Sequence, residues 1–493
     1  MKNKELKKSI SLLSLALLSG VLLSLCFPPV SFGALAWLAL LPLFYAVNEA
    51  KSIHQVSNIG ALAGLVFYLI TLMWFFKLFG PVAIGLICVP ALYISLSMVL
   101  TKLTLDKYGI FAGWLIAAPV FWTGIEYFRS ERWFLEFTWA GLGFSQVNNP
   151  ILQTASVWGT YGISFMIVLS SGLIITGIKR GIKYIIAGIL FPVIFWSWGY
   201  NRVLNFPDKI GEPRRVAVIQ DESFNMKKLM KKEAEAINQG ADIIVWPEYA
   251  ITMRPKMREL ELMRLPAKDI NKLRIIGAMI EHGDKALKKS SLLTGRRKKK
   301  TTVENFALVI NGKCDILGRY DKHHPIPIIE SHVKASSDVK PVDTPSGRLG
   351  IQICYDLDFE DGTRKLVNQG AEVILVPNFD PMSYGRAQHL QHSAMSPMRA
   401  VESGLWIARA ASSGLSQLID PVGRIIKTMP MVEEGVLTGD IYLRKGGTIY
   451  TKYGWLLSRS CLLLTFCFML GIIQKNIFRD LALNKRSKIW QKK

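Results

Sequence analysis

Eight apolar runs dominate this sequence, most of them close to the ~20 residues that a helix needs to cross a bilayer. They lie at roughly 9–26, 31–47, 57–77, 81–101, 108–128, 160–178, 183–200 and 453–474. No other feature limits the fold as strongly. Backbone surrounded by lipid must satisfy its own hydrogen bonds, and helices do so within one segment. The spacing predicts seven membrane helices, a long polar insert and a closing eighth helix.

Charge gives the orientation. The net charge is +23 in a chain that is 50% hydrophobic and only 20% charged. Nucleic acid is one reading of such a charge, but among apolar runs the expected cause is Lys and Arg on cytoplasmic loops and near anionic headgroups. With the N-terminus inside, seventeen basic residues fall on short inside segments and the C-terminal tail. Only Lys77, Arg129 and Arg132 fall on short outside loops. This asymmetry places the insert outside the cytoplasm. The expected domains are a helical domain over 1–204, an extracytoplasmic domain over 205–450, and a last helix with a basic tail over 451–493. The first run could be a cleaved signal peptide with Cys26 at its end, but Leu25 is not a small processing-site residue, so an uncleaved helix is expected. Glu126 and Arg129 flank the end of one run and could simply pair at i,i+3; at that depth ionisable groups are often functional.

The insert reads as α/β. β-rich runs occur at Val216–Gln220, Ile243–Trp246, Leu273–Ile280, Phe306–Ile310, Leu349–Cys354, Val373–Val376, Trp406–Ala411 and Gly435–Ile441. Helical stretches such as Met226–Asn238 and Gln388–Gly404 alternate with them. Strands apolar on both faces between helices predict a layered sheet covered by helices. Lys285 to Lys300 holds eight Lys or Arg and reads as a solvated loop, with a flap against anionic headgroups as the functional alternative. The six cysteines form no metal pattern. Four fall in apolar runs, and a Cys314–Cys354 disulfide is the structural alternative to a reactive Cys354.

Three residues carry chemistry. Glu248 closes Asp242-Ile-Ile-Val-Trp-Pro-Glu248, Lys322 lies in Arg319-Tyr-Asp-Lys-His323, and Cys354 ends Gly350-Ile-Gln-Ile-Cys354. Each is expected at a strand end, and three strand ends of one sheet can converge on one face. A carboxylate can take a thiol proton, and an ammonium can steady the oxyanion that forms when the thiolate attacks a carbonyl. Singly, each has a bland reading: a solvated cap, a surface lysine, a small buried hydrophobe. His323 and His324 could shuttle protons, but loop histidines are usually solvated.

Together Pro247-Glu248, Tyr320-Asp-Lys322-His323 and Ile353-Cys354-Tyr355 resemble the Glu-Lys-Cys motifs of the nitrilase superfamily. In the helical half, Trp122-Thr-Gly-Ile-Glu126-Tyr-Phe-Arg129, Trp139-Ala-Gly-Leu-Gly-Phe-Ser-Gln146 and Gly159-Thr-Tyr-Gly162 resemble the apolipoprotein N-acyltransferase family. The resemblance implies a membrane helical bundle of about eight helices joined to a nitrilase-like αββα sandwich. It implies Cys354 as nucleophile, Glu248 as general base and Lys322 as oxyanion stabiliser. Glu330 matches a second family glutamate that could orient Lys322 or receive a proton, though without the resemblance it reads as a surface residue. Tyr355 matches the residue whose backbone N–H could face the oxyanion, and Arg399 and Glu402 also fit, or form a local i,i+3 pair.

Some positions depart from the family pattern. Asp356 stands where the family has Glu, and Asn378-Phe-Asp-Pro-Met-Ser-Tyr384 stands where it usually reads Asn-Asp-Ala-Trp-Phe. A family Trp after the first strand has no counterpart, and Phe224 is the candidate substitute. Asp356 and Asn378 are therefore counted as supporting positions, with the acceptor left open. The implied reaction moves an acyl chain from a phospholipid to Cys354 and then to the α-amino group of a diacylglyceryl-modified lipoprotein. It needs no cofactor, metal or nucleic acid, and its setting is a bacterial inner membrane. A membrane-tethered nitrilase-type amidase, another amine acceptor, and an inactive domain on a transporter or lipid-binding scaffold are the alternatives.

Overall fold

The computed structural model describes residues 2–207, 209–253, 269, 271–282 and 302–490. The basic stretch at 285–300 lies outside the described residues. The helices of the first part are α1 (Lys2–Leu25), α2 (Leu41–Glu49), α3 (Ile53–Thr71), α4 (Ala83–Phe111), α5 (Ala118–Glu131), α6 (Ala155–Arg180) and α7 (Ile182–Leu204). Among the described residues, six helical spans are long and apolar enough to cross a membrane: 7–25, 53–71, 75–131, 150–180, 182–204 and 450–474.

Two of these observations refine the eight expected runs. The 57-residue span contains two of them. The chain reverses near Gly109, whose φ of 85° breaks the helix and brings Gly113 against Leu105. The run at 31–47 is instead a shorter apolar segment, Gly33–Glu49, made of a 3₁₀ turn, a single helical turn and α2. Helix packing relies on small residues, as expected where lipid removes the hydrophobic drive between helices. Gly60 and Gly64 lie one turn apart on α3 and face α4. A Cβ on them would sit 2.7 Å from Ser95 Cα and 2.8 Å from Ala91 Cα.

The insert forms two open mixed sheets. The first contains β1 (Glu212–Gln220), β2 (Ile243–Val245), β3 (Ile251–Met253), β4 (Leu273–His282), β5 (Thr302–Ile310), β6 (Ile316–Asp321) and β13 (Gly435–Leu443). Its order is β13-β1-β2-β4-β5-β6, with β3 beside β4. The second contains β7 (Val342–Thr344), β8 (Gly347–Ile351), β9 (Val373–Asn378), β10 (Ile407–Ala411), β11 (Gln417–Ile419) and β12 (Ile425–Thr428), in the order β12-β11-β10-β9-β8-β7. The central pairs β1–β2, β8–β9 and β9–β10 are parallel. Their inner faces share one core, in which Val216, Val245 and Ile275 meet Leu349, Val373 and Ile407.

Helices cover both outer faces. Helix α8 (Met226–Asn238) buries Leu229 and Ala236 against Ala217 and Ile244 of the first sheet. Helices α9 (Glu360–Asn368), α10 (Arg386–Ser393) and α11 (Met395–Ser403) belong to the second layer, toward the membrane helices. The result is an αββα sandwich. The single helix expected over Gln388–Gly404 is two helices, α10 and α11. The closing helix α12 (Trp455–Trp490) packs on α5. Tyr355, Phe359, Met395, Met398 and Val401 belong to the same apolar core as the membrane helices, so the two parts are continuous where they meet.

Candidate active site

The expectation that three strand ends of one sheet converge is overturned. Glu248 lies in a turn three residues beyond β2, and Lys322 directly follows β6; both strands belong to the first sheet. Cys354 lies three residues beyond β8, in the second sheet, and opens a short 3₁₀ helix (Cys354–Asp358). The site is assembled across the sandwich rather than along one sheet edge. Cys354 also has a φ of 51°, a left-handed conformation that costs a non-glycine residue on the order of 1–3 kcal/mol. That bend turns the chain out of the strand direction at the thiol.

The charged cluster is dry and closely bonded. Lys322 is 0% exposed, and its ammonium donates to Glu248 Oε1 at 2.8 Å and to Glu330 Oε1 at 2.9 Å. Glu248 Oε1 also accepts from Asn305 Nδ2 at 2.7 Å. Glu248 Oε2 is buried with no hydrogen-bond partner among the described residues, so one oxygen of this carboxylate is left free. Glu330 accepts from the Tyr249 hydroxyl and, through Oε2, from the Ile326 N–H at 2.7 Å. It is 6% exposed, so its surface reading does not hold.

Each shift has a cause. Burial pushes the Glu248 carboxyl above the usual carboxylate range, against the opposing charge of Lys322. Burial also works to deprotonate Lys322, but Glu248 and Glu330 outweigh it and hold the ammonium well above its usual value. Burial raises Glu330 too; the charge of Lys322 and hydrogen bonds from Lys322, Tyr249 and Ile326 N–H overcome it and leave that carboxyl below its usual value. Burial, and then the charge of Glu248, push the Cys354 thiol well up, while Lys322 pulls it down. The resting arrangement is therefore a neutral thiol, a raised carboxylate with a free oxygen, and a fixed ammonium. Proton transfer from Sγ to Glu248 exchanges one negative charge for another beside the same cation.

The supporting positions act differently from one another. Asp356 joins two loops: Oδ1 accepts from the N–H groups of His323 (3.0 Å) and His324 (2.6 Å), and Oδ2 accepts from Ile353 N–H (3.0 Å) and Tyr320 OH (3.0 Å). It ties the Lys322 loop to the Cys354 loop. Tyr355 donates its hydroxyl to Glu136 O at 2.6 Å, which anchors the loop after α5. Asn378 ends β9, fully buried, and neither of its side-chain polar atoms has a partner among the described residues. Phe224 packs on Phe379, its ring centroid 5.7 Å away.

The histidines are not the solvated pair expected. His324 Nδ1 faces Glu136 Oε2 at 3.1 Å and Nε2 faces Asp361 Oδ1 at 3.2 Å. Burial lowers its pKa, but these two carboxylates outweigh it and raise it to about 10. Cys314 and Cys354 are both free thiols. Arg399 pairs with Glu402, as the local reading allowed. Glu126 and Arg129 do not pair with each other among the described residues: Glu126 accepts from Leu142 N–H (2.9 Å) and Ser164 OH (2.6 Å).

Sequence reasoning missed Asn305 and the cavity. Asn305 holds Glu248 with its side chain, and its carbonyl accepts from Lys322 N–H at 2.9 Å. Cys354 opens into a cavity walled by Trp74, Phe75, Trp133, Phe137 and Trp139 from the helical part and by Tyr355, Phe379 and Tyr384 from the sandwich. The aromatic run around 133–139 was a signal for it, but the helical part's share in the wall needs tertiary structure.

A membrane protein that shares an apolar cavity with the charged pocket of an αββα sandwich defines a class: the carbon–nitrogen hydrolase fold fused to a membrane bundle. Residues 214–449 match the carbon–nitrogen hydrolase family model, and residues 19–173 match that of the apolipoprotein N-acyltransferase N-terminal domain. An apolipoprotein N-acyltransferase of Geobacter metallireducens is 28% identical over 91% of this chain and 92% of its own. One of Shewanella oneidensis is 27% identical over 90% and 92%. The chain belongs to the apolipoprotein N-acyltransferase family.

Proposed function

We propose that this protein acylates the N-terminal cysteine amine of diacylglyceryl lipoproteins, taking the chain from a membrane phospholipid by way of a thioester on Cys354. The observation that carries this reading is the placement of Cys354. The thiol feels the charges of Glu248, Lys322 and Glu330 and opens into a cavity that membrane helices help to wall.

Glu248 Oε2 takes the thiol proton, and Sγ attacks the ester carbonyl of the lipid. The negative charge that forms on the carbonyl oxygen is stabilised by Lys322, and by a backbone N–H near Tyr355. The tetrahedral intermediate collapses, Glu248 returns its proton to the departing alkoxide, and a lysophospholipid leaves. The amine of the acceptor then attacks the thioester and Glu248 takes its proton; the C–S bond breaks to leave the amide, and Glu248 returns that proton to the departing Cys354 thiolate. An apolar wall keeps water from competing at this step. Binding both lipid-bearing substrates in one cavity replaces encounters in the bilayer by a fixed orientation.

The domains are assigned as 1–204 helical, 205–450 catalytic and 451–493 closing helix and tail. The excess of Lys and Arg on one side supports a multi-pass protein of the bacterial inner membrane with its catalytic domain outside the cytoplasm. The test is reconstitution in phospholipid vesicles with a diacylglyceryl-cysteine peptide. One acyl mass should appear on the peptide as an amide at its N-terminus. Release of free fatty acid with an unmodified peptide would favour the amidase-type alternative.

A further inference from the structure

The cavity holds a second charged group that the thioester chemistry does not use. Arg129, in the last turn of α5, is 1% exposed and lines the same cavity as Cys354. Its NH1 donates to Tyr68 OH at 2.9 Å and to Trp139 O at 3.1 Å. Its NH2 is buried with no hydrogen-bond partner among the described residues. Glu126, one turn back, is committed to Leu142, Ser164 and Trp122. The other charged groups on the cavity wall, Asp380 and His392, are committed to each other at 2.7 Å.

A guanidinium buried without a counter-ion is costly, because a charge taken out of water needs a partner to offset its desolvation. The rings of Tyr68 and Phe137, each 5.5 Å from its centre, compensate only in part. What remains is a desolvated cation with a spare donor in an aromatic cavity. It calls for an anion that arrives with an apolar body.

We propose that Arg129 binds the phosphodiester of the donor lipid through its free NH2, placing the ester carbonyl, a few bonds away in the same molecule, at Cys354. The inference rests on the reading of a phospholipid as donor. Guanidinium suits this task because its planar donors match phosphate oxygens. A fixed cation in the cavity wall would then select phosphate-bearing lipids over neutral ones. The contact forms in the bound lipid as well as in the transition state, so its loss should act mainly on the half-saturating donor concentration.

The experiment compares full-length wild type, Arg129→Gln and Arg129→Lys in single-turnover thioester formation. One donor is phosphatidylglycerol, and the other is p-nitrophenyl octanoate, which carries no phosphate. In Arg129→Gln, the half-saturating phosphatidylglycerol concentration should rise roughly ten- to hundredfold. Reaction with the aryl ester should be unchanged, and Arg129→Lys should recover part of the loss. The aryl ester also reports folding. Equal loss with both donors would make Arg129 a structural residue and overturn the proposal, as would unchanged behaviour with phosphatidylglycerol. A wild type that reacts with the aryl ester but never with phosphatidylglycerol would overturn the donor reading itself.

Discussion

Replacing Glu248 with Gln isolates the base from its geometry. The substitution is nearly isosteric. The amide oxygen can keep both bonds that Oε1 now accepts, from Lys322 at 2.8 Å and Asn305 at 2.7 Å. What disappears is the free oxygen, Oε2. General-base catalysis contributes about 10²–10⁴ in rate, so acylation by Glu248→Gln should fall by that factor, about 3–5 kcal/mol in barrier. The same change removes the negative charge that helps burial raise the Cys354 thiol, while Lys322 still pulls it down. The thiol of the variant should therefore ionise at lower pH than that of the wild type. Its residual rate should climb with pH as hydroxide takes over the base's work. The assay is single-turnover thioester formation followed by intact mass across pH, with the rate of Cys354 alkylation as an independent measure of the thiolate. A variant as fast as wild type would refute the base assignment. A residual rate that stays flat with pH, while alkylation shows the thiol ionising, would refute the proton path.

Lys322→Met should behave differently: it strands two buried carboxylates without their cation, so stability should drop by about 3–5 kcal/mol in denaturation of the detergent-solubilised protein, and acylation should fall about a hundredfold with a shallower recovery at high pH. Wild-type stability in that variant would show that the cluster is not held as described. Asn305→Ala removes one of two donors to Glu248 Oε1 and should slow acylation roughly tenfold while shifting the acidic limb of its pH profile upward, since a hydrogen bond to the charged carboxylate is lost; a lower rate with an unmoved limb would argue against a role through Glu248. His324 has a folded pKa of about 10 against an ordinary 6.5, so its contribution to stability should be complete below pH 6.5 and vanish as pH rises through about 10. The stability difference between wild type and His324→Gln, measured at several pH values, should shrink over that window, and a difference that grew with pH would reverse the sign of the argument.

Much of the fold was legible because each part obeys a strong local rule. Apolar length gave the helices, and helix α8 falls at Met226–Asn238 as its pattern predicts. The short strands β3, β7, β11 and β12 were not legible: three to four residues carry no usable alternation, and β12 has no buried residue. The two apolar runs at 81–101 and 108–128 were separable by the charged residues between them, and the positive φ of Gly109 shows where the chain turns from one to the other. In the site, Glu248, Lys322 and Cys354 each stand in a recognisable local motif, so their convergence could be expected. Their division between two sheets could not, because sheet membership depends on pairing partners far away in sequence. Asn305 was invisible for the same reason. It is a polar residue in a largely apolar strand, and its meaning comes from Glu248, which it bonds across the fold. His324 was misjudged by ordinary exposure statistics, which say nothing about an opposing loop that buries it, and Glu330 escaped the same error only through the family resemblance.

The central claim is that Cys354 carries the acyl chain. The most direct measurement is intact-protein mass spectrometry of the full chain after exposure to phospholipid with no acceptor present, followed by peptide mapping. The account requires one acyl mass on the peptide containing Cys354, labile to hydroxylamine as a thioester is, discharged by a diacylglyceryl-cysteine peptide and absent from Cys354→Ser. An acceptor acylated at full rate by Cys354→Ser, or an adduct that maps to another residue and turns over, would contradict it.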